Sequence, residues 1–183
     1  MRKLKSKAGL TLMEMMAALL VMVLLVVAAA AFGLYAYVNA RLVVASIELE
    51  AYDATMQTED FLRWQSAVDN GAAAGTAYTD SIPGTAADYS YFLYTFRLRN
   101  KGLIDAEMVE IQPVPVNGDV LSYSTTNAAD INCGTTVAAG SERDVWSVLI
   151  TSKQNCDNYL VTRSFYITYY LWGIPMTVTA VYN

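Results

Sequence analysis

MMAALLVMVLLVV, residues 15–27, contains no charge, no glycine and no proline, and the uncharged run around it extends from residue 15 to residue 40. An α-helix rises 1.5 Å per residue, so about 20 apolar residues cross a bilayer; the Ala-rich continuation to Val38 brings this stretch to that length. Arg2, Lys3, Lys5 and Lys7 lie ahead of the run with no acid among the first nine residues. The positive-inside rule then keeps the N-terminus cytoplasmic and sends the C-terminal body outward. A secretory signal peptide shares the basic start, but its apolar region is about 7–15 residues long and ends at a small-residue cut.

Beyond the run, apolar residues recur at Leu42, Ala45, Leu49, Tyr52 and Met56 in three- and four-residue steps, while Glu48, Glu50, Asp53 and Glu59 take the other faces. That periodicity predicts that the helix continues out of the membrane as an amphipathic half over residues 41–70, ending near Val68 before the stop signal Asp69-Asn70-Gly71. Residues 71–88, mostly Ala, Gly, Thr and Asp, read as a loop. From there the texture is β: residues 89–99 (YSYFLYTFRLR), 108–116, 120–125, 145–151, 159–170 and 175–182 are β-prone runs joined by short turns. The expected fold is α+β, a long N-terminal helix packed on a largely antiparallel sheet within a C-terminal globular domain of residues 71–183. Pro113 and Pro115 cannot donate to a ladder and mark their segment as an edge strand. The aromatic runs are expected to form sheet core and cross-strand pairs rather than an adhesive face.

Composition narrows the function. The chain of 183 residues has 17 acidic and 12 basic residues, and removing the basic start leaves a strongly acidic body. Affinity for phosphate backbones comes mainly from Lys and Arg, so nucleic acid is not the expected partner, with Arg97, Arg99 and Lys101 as the one local basic cluster to test. Histidine is absent, which removes the commonest general base and zinc ligand. No cofactor, metal site or catalytic residue is expected; Asp119, Asp130, Asp144 and Asp157 read as solvated loop acids rather than calcium ligands. The two cysteines, Cys133 and Cys156, fall in the part placed outside the cytoplasm, and a disulfide between them is the economical reading. It would close a loop of about 22 residues and stabilise the chain by roughly 3 kcal/mol.

The motif KAGLTLME, residues 7–14, sits where the apolar run begins. It resembles the processing site of the type IV prepilin family: a short basic leader ending in Gly, an apolar residue, Thr-Leu, then Glu. The resemblance is dense over residues 1–40 and matches in layout alone thereafter. It implies cleavage between Gly9 and Leu10 by a membrane aspartyl prepilin peptidase, N-methylation of Leu10, and assembly into a filament of copies or other pilins. An inner-membrane platform and an ATPase motor would drive that assembly. It implies residence in the inner membrane as precursor, then in an extracellular pilus or a periplasmic secretion pseudopilus. Glu14 would pair with the free N-terminal amine of a neighbouring Leu10, since a carboxylate at the head of an apolar span needs a cation. Leu10 replaces the family's preferred Phe, and no Pro interrupts the apolar run, whose softer point is Gly33. An uncleaved bitopic protein with an outer binding domain is the alternative from another class.

Overall fold

The computed structural model describes residues 12–73, 75–125, 135–153 and 162–183. The chain divides into two compact units, one ending at Val38 and the other running from Asn39 to Asn183. The first is a single helix, α1 (Leu12–Asn39), of 28 residues, about 42 Å long at helical rise. Its Ala, Leu and Met content favours a helix, and Glu14 stands in the first turn, where the helix dipole favours an acid.

The second unit departs at once from the sequence expectation. The amphipathic helix expected over 41–70 is instead a strand, a short 3₁₀ turn and a separate helix: β1 (Leu42–Asp53), Ala54–Gln57 and α2 (Thr58–Asp69). Two periods coexist in this segment. Leu42, Ala45, Leu49, Tyr52 and Met56 fit a helix. Ile47 and Leu49, however, alternate with Ser46, Glu48 and Glu50, and that period of two is the one realised. Ile47 and Leu49 stand opposite the buried Phe96 and Tyr94, while Ser46 and Glu48 stand opposite Arg97 and Thr95. A bulge between Val44 and Ser46 lets the β-branched start and the alternating remainder share one ladder. The pairing partner, remote in sequence, decides the contest that local periodicity left open. Only α2 keeps the helical reading. It buries Phe61, Trp64 and Val68 and stops at Asn70-Gly71, where Gly71 takes a φ of +64° and donates to the Val68 carbonyl.

The remaining strands are β2 (Thr76–Ala77), β3 (Tyr89–Asn100), β4 (Ala106–Pro113), β5 (Asp119–Thr125), β6 (Thr135–Val137), β7 (Glu142–Ser152), β8 (Arg163–Leu171) and β9 (Ile174–Tyr182). Six of them fall within a few residues of the β runs read from sequence; β2 lies in the stretch 71–88 expected to be a loop, and β6 matches no run read there. They build two antiparallel sheets rather than one, in the orders β1-β3-β7-β5-β2 and β6-β4-β8-β9. The α+β class therefore holds, whereas the single sheet does not. The segment with Pro113 is interior in the second sheet, against the edge expected of it. The partner β6 reaches it only at Ala106 and Val109, and the proline end is laddered to β8 alone among the described residues.

Two cores share β3. On one face Tyr94 and Phe96 meet Phe165 of the second sheet at ring distances of 4.7 and 4.9 Å, both edge-on. On the other, Tyr91 joins Val148, Ile150 and Leu121 under Phe61, Trp64 and Val68 of α2, with Tyr52 stacked on Tyr91 at 5.4 Å and Tyr123 on Trp64 at 4.4 Å. The aromatic runs thus supply core and cross-strand packing, as expected of them.

One ion pair ties the sheets together. Arg163 at the start of β8 donates two parallel hydrogen bonds, of 2.8 and 2.9 Å, to Asp119 at the start of β5, and the two side chains are 3% and 1% exposed. Asp119 also accepts the Val116 amide at 2.7 Å, which closes the turn through Gly118. Far from being a solvated loop acid, Asp119 is the buried anion of the body. Breaking such a pair strands a charge, so Asp119→Ala is expected to lower unfolding stability by about 3–5 kcal/mol in urea titration, and Asp119→Leu combined with Arg163→Met to recover most of it.

Candidate functional site

Of the residues singled out for processing and cross-linking, Gly9, Leu10, Cys133 and Cys156 lie outside the described residues, as do Asp130 and Asp157. Glu14 is described, exposed in the first turn of α1. The helix that it heads is the most unusual surface of the chain. Every large apolar side chain from Leu12 to Val27 is more than half exposed, from 53% at Val23 to 83% at Met13. A helix apolar on all sides needs an apolar environment on all sides, since water leaves about 25 cal/mol of unrealised burial for each Å² exposed. By length and composition α1 fits a membrane anchor or a signal sequence.

Two ion pairs cross from β3 to β7. Arg97 makes a two-pronged contact with Asp144, both bonds 2.9 Å, and Arg99 faces Glu142 at 3.5 Å. All four belong to β3 and its register partner β7. The hydrogen bond from Arg97, with its charge, holds the Asp144 carboxyl below the usual range. Two of the three members of the basic cluster noted in the sequence are therefore engaged with acids. Among the described residues no group of three or more His, Cys, Asp or Glu side chains is placed to hold a metal ion.

Between the two sheets, Tyr94 Oη, Ser147 Oγ and Arg163 Nε are buried without a hydrogen-bond partner among the described residues. Tyr94 and Ser147 are register neighbours on β3 and β7. Burial pushes the Tyr94 hydroxyl up to about 12, with the Arg163 guanidinium opposing and Asp119 adding to the shift, so it stays neutral across the physiological range. A groove of about 600 Å³ separates β1 from β9, lined by residues 42–47 and 178–183, none of them charged. Both strands are sheet edges. Sequence reading missed this groove because it placed residues 42–47 in a helix. Once they are a strand, the pairing order puts them at an edge.

No family model matches the sequence, and no curated protein matches it either. Among solved structures the chain is similar to an uncharacterized beta-sandwich protein of Clostridium difficile 630, at 9% identity over 75% of this chain and 83% of that one, with a TM-score of 0.27. A likeness that loose carries no argument about this chain.

At one end of the first sheet, Lys153 pairs with Asp53 and also donates to the Ala87 carbonyl at 2.7 Å. This clasp ties the end of β1 to the end of β7 and to the turn Ala86–Asp88. The hydrogen bond from Lys153, followed by those from the Thr55 amide and hydroxyl, holds the Asp53 carboxyl well below its ordinary 3.8, at about 2. A carboxylate depressed in the folded state contributes stability above its unfolded pKa and loses it as pH falls towards the folded one. The melting-temperature advantage of the wild type over Asp53→Asn is thus expected to be full at neutral pH, to shrink below about pH 4 and to vanish near pH 2.

Proposed function

We propose that this chain is a structural subunit of a type IV pilus-like filament. In this reading a prepilin peptidase cleaves it after Gly9 and methylates Leu10, and its apolar helix then docks against those of its neighbours. The single observation that carries the proposal is α1 itself, 28 residues long and apolar on every side, with one acid, Glu14, in its first turn directly behind the Gly9-Leu10-Thr11-Leu12 motif. In a lipid anchor the helix dipole accommodates an acid in the first turn, but a carboxylate drawn into the apolar span costs roughly 2.5–3.5 kcal/mol at mid-membrane and less near the interface, and anchoring itself does not call for one. A subunit that must find its register against a neighbour does have a use for it. A nearby cation favours the ionised acid while burial opposes it, so the charge is comfortable only when the neighbour's N-terminal amine has docked.

Burial of the stems would hold such a filament. Each helix exchanges lipid for other helices, and the mature subunit leaves the membrane without showing the stem to water. Extension and retraction would then fall to a platform and an ATPase in the membrane and cytoplasm, partners that the family resemblance implies. The β unit would form the outer surface.

A second reading draws on the strand β1. The prepilin layout carries its first helix into the globular body, whereas here strand pairing begins at Leu42. That favours a bitopic protein in which α1 is a lasting anchor and the β unit binds a ligand outside the membrane. Intact mass and N-terminal sequencing of the protein from its native envelope decide between the two. The filament reading expects a chain starting at methylated Leu10, retention of the leader in Gly9→Ala, and loss from sheared filaments in Glu14→Ala despite normal cleavage. A chain starting at Met1 would sink it.

A further inference from the structure

Among the described residues, φ is positive at only two non-glycine positions, Met108 at +50° and Trp172 at +51°. Both are large and apolar, and both are exposed, 61% and 62% respectively. A left-handed conformation is costly for a bulky L-residue, and turns that demand it ordinarily recruit Gly or Asn. Trp172 and Gly173, at +77°, form the two-residue turn between Leu171 of β8 and Ile174 of β9, the type I′ arrangement in which Asn-Gly is the favoured pair. Met108 sits in the bulge of β4, where the register with β8 shifts between Glu107 and Glu110. Neither side chain packs in a core that would account for its presence.

Their location supplies a reason. Glu107 is the register partner of Tyr170, so the bulge and the hairpin tip share one end of the second sheet. The same end receives the chain from α1: the Leu42 amide donates to Tyr169 Oη at 3.4 Å and the Lys101 amide to the Arg41 carbonyl at 3.1 Å. A Cβ on Gly102 would lie 2.6 Å from Ala40 Cα, so the turn carrying the exposed Leu103 runs against that connection. Only Ala40 and Arg41 separate α1 from β1, a reach of about 10 Å.

We propose that this end of the β unit is a lipid-contacting surface, with Trp172 seated in the interfacial layer of the bilayer and Met108 and Leu103 facing the same layer. The inference rests on the membrane residence of α1. Tryptophan joins a large apolar body to one N–H donor, and it collects at the boundary between acyl chains and headgroups. Charge does not select the partner. Among the described residues Arg41, Arg99, Lys101 and Arg143 are the bases at this end and Asp105, Glu107 and Glu142 the acids, with Arg99 already engaged by Glu142, Arg143 donating to the Thr136 carbonyl and Asp105 accepting the Ala139 amide. Zwitterionic lipid is therefore sufficient. The contact would hold the β unit against the membrane surface before assembly, and extraction of the subunit would have to break it.

The test uses the full chain reconstituted at low density in phosphatidylcholine vesicles, with and without lipids brominated near the headgroup end of the acyl chains, and reads tryptophan fluorescence. The three tryptophans are well separated in kind: Trp64 is buried in the α2 core, Trp146 is half-buried on β7 and Trp172 is exposed. Wild type is expected to float with the vesicles and to be quenched by brominated lipid, and Trp172→Asn to lose the larger part of that quenching. Asn suits the left-handed turn, so this variant should melt no lower than wild type. Equal quenching in the two proteins, or a lower melting temperature in Trp172→Asn, overturns the inference while leaving the anchor intact. Quenching that is replaced by shielding only at high protein density assigns Trp172 to contact between copies and overturns it too. Failure to float overturns the membrane reading of α1 and this inference with it.

Discussion

A strand with two apolar faces has to be covered twice, and β3 imposes that requirement on the β unit. Tyr89 and Tyr91 face one way and Tyr94, Phe96 and Leu98 the other, all of them buried. The second sheet answers one face through Phe165, and α2 answers the other through Phe61 and Trp64. The two flanking strands, β1 and β7, satisfy the backbone of β3 along both edges in registers of eleven pairs each. Removing any one of these covers exposes aromatic surface that has no alternative partner in the fold, which makes β3 the element on which the others converge.

Polar groups in the interior follow the same economy. Arg163 and Asp119 meet between the sheets in a geometry that uses both carboxylate oxygens. A buried pair of this kind adds little to net stability over an apolar replacement, because desolvation offsets much of the attraction, but losing one partner strands the other. On the outside, the Arg97–Asp144 and Arg99–Glu142 contacts are exposed and worth little individually. Their consequence is instead a surface with little unpaired positive charge beside an acidic remainder.

The two units present opposite solutions to the hydrophobic effect. The β unit hides its aromatic residues by folding on itself. The helix cannot, and its exposed apolar side chains call for an environment supplied from elsewhere, by lipid or by other chains. The exposed residues at the end of the β unit nearest the connection, Trp172, Met108 and Leu103, extend that demand onto the body. The bulky residues held in the left-handed conformation there, Trp172 in a turn and Met108 in a bulge, are a local cost that internal packing does not explain.

Composition and pattern alone determined the apolar helix, the α+β class and the β runs, because a continuous uncharged stretch and period-two alternation bounded by turn residues are local signals. The helix stop at Asn70-Gly71 was legible for the same reason. Residues 42–53 were not. Their spacing satisfied a helix and a strand together, and the ladder to β3, some fifty residues away, decided the matter. Tertiary structure also decided that there are two sheets rather than one, that Asp119 is buried on Arg163, and that β1 and β9 are edges flanking a groove. Each of these depends on which distant strands meet, and pairing between remote segments leaves no periodic trace in the sequence of either one.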